Sequence, residues 1–294
     1  MGLTAGSAAT LHPPLQRVLT TRPAPPNPEE TTVTEIAEAF YLPLGEGRFS
    51  PTKATESPWD SESQHGGPPS ALLAHLAGAG ADPGQRTARV SVDFLGAIPR
   101  RELTVEVSVV RPGRRISLTE ARMSVDGRAV AVARVWHLAT GPTPPARTPV
   151  VLPPPLPEET DAPTQLLPAM GDWGYGKALD WRYTTGSPDR LGPAAVWTRV
   201  RVPLVAGQPI TPLARVLVAA DAANGISAEL DLTRWLSIPP GMATTLLREP
   251  VGEWVHLDCR TQLAEDGLGL CSGVLSDEQG AVAEVTQPLL VQQR

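Results

Sequence analysis

Twice along this chain a turn opens a helix-type segment of small apolar residues, and each time a set of strand-type runs follows. The first round starts at Gln64-His65-Gly66-Gly67-Pro68-Pro69. Its glycines and prolines mark a turn into a helix with proline in the first turn. The helix, through Ala77, is apolar almost all round, which predicts burial rather than a solvated face, and Gly78 and Gly80 end it. Strand runs follow at 87–95, 103–111, 115–125 and 128–138. Leu103-Thr104-Val105-Glu106-Val107 alternates with period two, as a half-buried strand does. Pro112-Gly113 and Asp126-Gly127 supply the turns. Two further strands, 32–40 and 48–55, are expected before the helix. The second round reads as strands at 172–182 and 194–203. A helix follows from Thr211 to Ala223, with a threonine cap, Pro212 at the first position and Asn224-Gly225 as the stop. Strands are then expected at 234–238, 244–248, 254–263, 269–276 and 281–291, with turns at Glu265-Asp266-Gly267 and Glu278-Gln279-Gly280.

Proline divides these rounds. Most of the excess among 33 prolines sits before residue 30 and between 141 and 168. Proline donates no ladder hydrogen bond and breaks helices, so these stretches predict a disordered extension (1–30) and an extended linker (141–168). The folded halves are then 31–140 and 169–294. Aromatic residues are only 4%, so the core has to be built of Val, Leu and Ala. A net charge of −6 argues against a protein that binds nucleic acid by neutralising phosphates. Cys259 and Cys271 are too few for a disulfide framework; both are expected to be reduced and to face each other across one hairpin. No apolar run reaches membrane-spanning length, and the N-terminus lacks the pattern of a signal peptide, so a cytoplasmic protein is expected.

The pattern of strands, one buried helix and four strands, given twice, predicts an α+β architecture. Two antiparallel sheets, each wrapped round a buried helix, would sit side by side, either separate or joined as one continuous sheet: the hotdog fold in double form. From about residue 33 to 292 the plan resembles the double-hotdog acyl-CoA thioesterases of the acyl-CoA thioesterase II type. The resemblance rests on Trp59 with Gln64-His65-Gly66-Gly67, on Ala219-Ala220-Asp221-Ala222-Ala223-Asn224-Gly225-Ile226-Ser227, on Gly252-Glu253-Trp254-Val255-His256-Leu257-Asp258, and on Gly280 to Gln287. It implies hydrolysis of an acyl-CoA or acyl-carrier-protein thioester by an activated water, in fatty acyl or polyketide metabolism, with no covalent nucleophile and a homo-oligomeric assembly. It carries the base onto Asp221 and the water-positioning amide onto Gln287. The family's third member comes from a strand with three polar positions, which, counted back from Arg248, fall here on Pro239, Gly241 and Ala243. Thr244 or Thr245 fills it if the register shifts, although a slip of one residue turns a strand side chain to the other face.

Residue chemistry fits these roles in part. A carboxylate in the last turn of an apolar helix, as at Asp221, faces the negative helix end and is partly buried, and both raise its pKa toward that of a useful base. A glutamine amide both donates and accepts. Gly66 and Gly67 open a helix whose free N–H groups can hold an oxyanion, or simply make a turn. His65 reads as a substrate contact or as an ordinary loop histidine, and Leu217, Asn224 and Gly225 as lining for an acyl chain. Arg100, Arg101, Arg111, Arg114 and Arg115 cluster at hairpin ends and read more readily as solvated turns than as a coenzyme A phosphate site. Trp173, Trp181, Trp197 and Trp235 read as packing rather than an acyl pocket. The chain has no GxSxG, HExxH, Walker A or GxGxxG pattern, and its five histidines (12, 65, 75, 137, 256) lack metal-ligand spacing. No cofactor and no metal is therefore expected. A repurposed pocket doing proton-transfer chemistry (isomerisation, dehydration or cyclisation), or a ligand binder without turnover, remains the alternative.

Overall fold

Most of the expected strands pair with their sequence neighbours, and pairing continues across the boundary between the halves. In the computed structural model the described residues are Gly2, 37–142, 148–158, Leu167 and 172–294. The expected extension (1–30) lies, save Gly2, outside them, as do residues 32–36 of the first expected strand. The first half contains β1 (Tyr41–Gly45), β2 (Arg48–Pro51), helix α1 (Gly67–Gly78), β3 (Gln85–Phe94), β4 (Leu103–Arg111), β5 (Ile116–Val125) and β6 (Arg128–Ala139). The second contains α2 (Gly174–Lys177), β7 (Leu179–Thr185), β8 (Ala194–Val200), α3 (Pro212–Ala220), α4 (Ala223–Ile226), β9 (Trp235–Ile238), β10 (Gly241–Leu246), β11 (Trp254–Leu263), β12 (Leu268–Asp277) and β13 (Gly280–Gln293).

These strands form one 13-stranded antiparallel sheet, ordered β1-β2-β4-β5-β6-β3-β10-β13-β12-β11-β8-β7, with β9 beside the end of β13. The two halves thus join side by side as one continuous sheet, one of the two arrangements the sequence leaves open. Its seam is the β3–β10 pair, where Val90 lies opposite Thr244 and Val92 opposite Met242. Each half alone would leave a strand edge open at this point, and joining the edges satisfies their backbone groups. Strand order is symmetric about the seam: β3, β6, β5, β4 on one side answer to β10, β13, β12, β11 on the other.

Helix α1 packs on β3–β6, and α3 on β8 and β11. Leu72, Leu73 and Leu217 are fully buried, as the all-round apolar pattern predicts. The helices also touch each other. A Cβ on Gly67 would stand 2.4 Å from the Val218 carbonyl oxygen, so only glycine permits this approach. Thr211 caps α3 by accepting from Ala214 N at 3.2 Å, with Pro212 in the first turn, as expected.

Several local expectations change. The strand expected over 172–182 is a helical turn, α2, followed by β7. Gly174 donates to Glu56 Oε2 at 2.9 Å, and a side chain there would collide with the Lys53 carbonyl, so the chain is tied to the first half before a strand begins. The strand expected to reach Thr55 ends at Pro51, and Thr52 caps a short 3-10 turn, Lys53–Thr55. Within the linker, residues 148–158 form neither helix nor strand but are not free. Trp197 Nε1 donates to Pro154 O and Arg182 to Pro157 O, each at 2.9 Å, so this strap buries the Trp197 indole. Cys259 lies opposite Gly273, and Thr261 opposite Cys271. The β11–β12 turn is centred one residue later than expected, so the two free thiols are diagonal rather than facing.

Candidate functional site

The close approach of α1 and α3 sets the start of one helix against the end of the other. Asp221 is the C-cap of α3, and a Cβ on Gly66 would lie 2.8 Å from its Oδ2. The carboxyl is nearly enclosed. Its Oδ2 is 3.1 Å from His65 Nδ1, and its Oδ1 accepts from Gln287 Nε2 at 3.2 Å. Burial pushes the Asp221 pKa from 3.8 up to about 7, while hydrogen bonds from the Gly66 and Gly67 amides and from Gln287 hold it down. Burial also drives His65 down to about 3, so the imidazole is neutral. One proton of the pair therefore titrates near neutrality, leaving the carboxyl above about pH 7, while His65 stays neutral; its Nδ1 accepts a hydrogen bond from the carboxylic acid or, as the other tautomer, donates one to the carboxylate.

Gln287, on β13, is fully buried and its amide orientation is fixed. Its Oε1 accepts from Asn224 N at 3.1 Å, so its Nε2 faces Asp221, donating to Oδ1 and, at 3.4 Å, to the Asp221 carbonyl. Asn224 is held in turn by Ser237: its Nδ2 donates to Ser237 O at 2.8 Å and Ser237 Oγ donates to Asn224 Oδ1 at 3.0 Å. Asn224 thus belongs to the polar frame, not to an apolar lining. Leu217 faces the core, and the open side of Gly225 looks toward Leu167.

His65 is also clamped by rings. It stacks on Tyr175, with centroids 3.8 Å apart and planes 13° off parallel, and Trp173 lies 5.6 Å away. Tyr175 is fixed by its hydroxyl donating to Val218 O at 2.8 Å. Phe94, whose ring reaches Gly66, closes another side. Sequence reasoning missed Tyr175, Phe94 and Ser237 and read Trp173 only as packing. The Trp173-Gly174-Tyr175-Gly176 alternation, with a glycine after each aromatic ring, was the available sign that this stretch is not a plain strand.

Register settles which threonine faces inward. On β10, Met242, Thr244 and Leu246 are buried, whereas Thr245 is exposed. Thr244 shares the inner face with Val285 and Gln287 of β13, and its Oγ1 has no hydrogen-bond partner. The structure thus joins Asp221, Gln287, His65, Gly66 and Gly67, puts Thr244 on their face of the sheet, and turns Thr245 away. Among the hairpin-end arginines, Arg100 lies near Glu62, Arg101 pairs with Asp126, and Arg111 donates to the Ile116 carbonyl, so these sit in ordinary turns. Among the described residues no group of His, Cys, Asp and Glu is arranged to hold a metal ion, and no helix is long and apolar enough to cross a membrane.

The architecture is that of hot dog proteins. It matches a conserved hot dog protein of Alicyclobacillus acidocaldarius (TM-score 0.68, 16% identity, covering 87% of this chain and 97% of that one). It also matches the tesB protein of Mycobacterium avium subsp. paratuberculosis (0.60, 18%, 86% and 96%) and the acyl-CoA thioesterase II TesB2 of Mycobacterium marinum (0.60, 16%, 86% and 95%). No curated protein sequence matches. Residues 55–138 match the acyl-CoA thioesterase N-terminal domain and 151–291 the C-terminal domain. The chain belongs to the acyl-CoA thioesterase family.

Proposed function

We propose that this protein is a double hot dog hydrolase of acyl thioesters, carried by coenzyme A or an acyl carrier protein, in which Asp221 is the general base. The observation that carries the reading is a buried carboxyl, with pKa near 7, gripped between Gln287 and a neutral His65 where two helix ends meet. A base with that pKa is half ionised near neutral pH, where proton transfer from water works best. In the proposed step Asp221 takes a proton from water while the water oxygen bonds to the thioester carbon. The carbonyl electron pair moves onto oxygen, facing the N–H groups at the start of α1. Collapse of the tetrahedral adduct breaks the C–S bond, the departing sulfur takes the proton from Asp221, and a carboxylic acid and a thiol leave.

In this reading Gln287 positions Asp221 rather than the water, because both its donor contacts are already on that residue. His65 orients the second carboxyl oxygen. A carbonyl oxygen that draws the Gly66 or Gly67 N–H away from Asp221 removes a bond that lowers its pKa, so substrate binding makes the base stronger. Thr244 supplies the hydroxyl on the inner face.

The test is continuous thiol release from short, branched, aromatic and long acyl-CoA substrates. Turnover on one class is expected, reduced by about 10²–10⁴-fold in Asp221→Asn. Absence of release across the panel from folded protein, or an undiminished rate in the variant, contradicts the proposal.

A further inference from the structure

The proposed base is closed off from solvent. Asp221 is 9% exposed, and Gln287 and Thr244 are fully buried, so a thioester reaches them only after a neighbouring side chain moves. The polar neighbours are held in place. Gln287 accepts from Asn224 N, and Asn224 is fixed by Ser237. His65 is stacked on Tyr175, whose hydroxyl is tied to Val218 O. Phe94 is held differently. Its ring carries no hydrogen-bonding group, the residue is partly exposed, and Leu95, Gly96 and Ala97, which follow it, are all exposed. A Cβ added at Gly96 would meet nothing within 4 Å, so there is open space beside this end of β3.

The backbone at Phe94 is fixed from both flanking strands. Phe94 N donates to Pro240 O at 2.8 Å, and Leu95 N to Val130 O at 2.9 Å. Movement here is therefore rotation of the side chain about a stationary strand end. The ring tip lies beside the proposed chemistry. The point that a Cβ on Gly66 would occupy is 2.7 Å from Phe94 Cζ and 2.8 Å from Asp221 Oδ2. Ring tip and carboxyl oxygen thus flank the same open side of Gly66, the N-cap of α1. A carbonyl brought to the N–H groups of this helix start, with its attacking water against Asp221, takes the volume that the ring tip now fills.

We propose that Phe94 determines the acyl specificity of this site: its ring covers the thioester seat beside Gly66, turns outward to admit substrate, and then crowds the carbon next to the carbonyl, so that straight acyl chains are accepted and chains branched at that carbon are rejected. The proposal deepens the thioesterase reading and rests on it for the position of the carbonyl. The pivot of the ring stays on the strand end whichever way the ring turns, so its atoms remain beside the seat in both positions. One extra methyl group in a bounded apolar site is worth about tenfold or more in discrimination.

The experiment is calorimetric titration of the full chain with the dethia analogues of butyryl-CoA and isobutyryl-CoA, in which a methylene replaces the sulfur and no hydrolysis occurs. The parent is expected to bind the straight analogue about tenfold or more tightly than the branched one. Phe94→Ala is expected to bring the two near parity by gaining on the branched analogue, and Phe94→Leu, which keeps an apolar side chain at the strand end, to fall between. The ratio of the two affinities does not depend on the fraction of protein that is folded, so a merely destabilised variant keeps the parental ratio. Equal binding of the two analogues by the parent, no binding of either, or the parental ratio surviving in Phe94→Ala overturns the proposal. Because turnover is not read, the two readings fail separately: a ratio that changes as expected beside no thiol release counts against hydrolysis alone, and thiol release with an unchanged ratio counts against Phe94 alone.

Discussion

Replacing Asp221 by asparagine removes a charge that the fold keeps out of water, so the variant should be more stable than the parent. In the unfolded chain the carboxyl loses its proton near 3.8; in the folded protein it keeps the proton to about 7. Between those values the folded state binds more protons, so stability falls as pH rises through this window, and above about 7 the full cost is present. At about 1.4 kcal/mol per pKa unit, that cost is roughly 4 kcal/mol. Asparagine keeps one oxygen for Gln287 but turns an amide N–H toward the Gly66–Gly67 donors, which gives back about 1 kcal/mol. A net gain of roughly 3 kcal/mol is expected at about pH 8, or about 6–12 °C in Tm for a domain of this size. At about pH 4.5 most of the gain should vanish, because the folded carboxyl is then neutral in the parent too. Urea unfolding of parent and variant at both pH values measures the difference. His65 contributes an opposite slope, losing stability as pH falls from 6.5 toward about 3, but it is present in both proteins and largely cancels. A variant less stable at about pH 8, or a difference that does not change with pH, refutes the reasoning.

Other substitutions test separate parts of the account. Gln287→Ala removes a hydrogen bond that lowers the Asp221 pKa, so the acid limb of the rate profile should move to higher pH; a limb that stays put or moves down contradicts the positioning role. Gly67→Ala forces a Cβ against the Val218 carbonyl and should cost about 1–3 kcal/mol in denaturant unfolding, with activity lost as the helices separate. Thr244→Val removes a buried hydroxyl without a partner and should leave stability equal or raised by about 1 kcal/mol while lowering kcat, whereas Thr245→Val should change neither.

Much of the scaffold was legible because its signals are local. The Thr211-Pro212 cap located α3, the Gly66-Gly67-Pro68-Pro69 junction located α1, period-two alternation located β4, and the Pro112-Gly113 and Asp126-Gly127 turns bounded β5 and β6. The seam was not legible: nothing local to β3 or β10 says which edges will meet, and the one-sheet outcome follows from long-range pairing. Asp221 and Gln287 were named through family resemblance, since a lone carboxylate and a lone amide carry no pattern. The contact between His65 and Asp221 joins the two halves, so no spacing encodes it. Thr244 and Thr245 stayed ambiguous because β10 is short and follows Pro239-Pro240; only its register with β3 and β13 fixes the inward residue. Residues 172–178 misled because their apolar and aromatic content suits a strand, while the tie from Gly174 to Glu56 is invisible in a one-dimensional reading.

The central claim is that Asp221 is the base, and the pH dependence of kcat/KM for the best acyl-CoA substrate tests it most directly. The account predicts a rate that rises with pH and levels off through an apparent pKa near 7, with that limb absent and the rate reduced in Asp221→Asn. A parent profile flat from about pH 5 to 9, or the same limb surviving in Asp221→Asn, would contradict it.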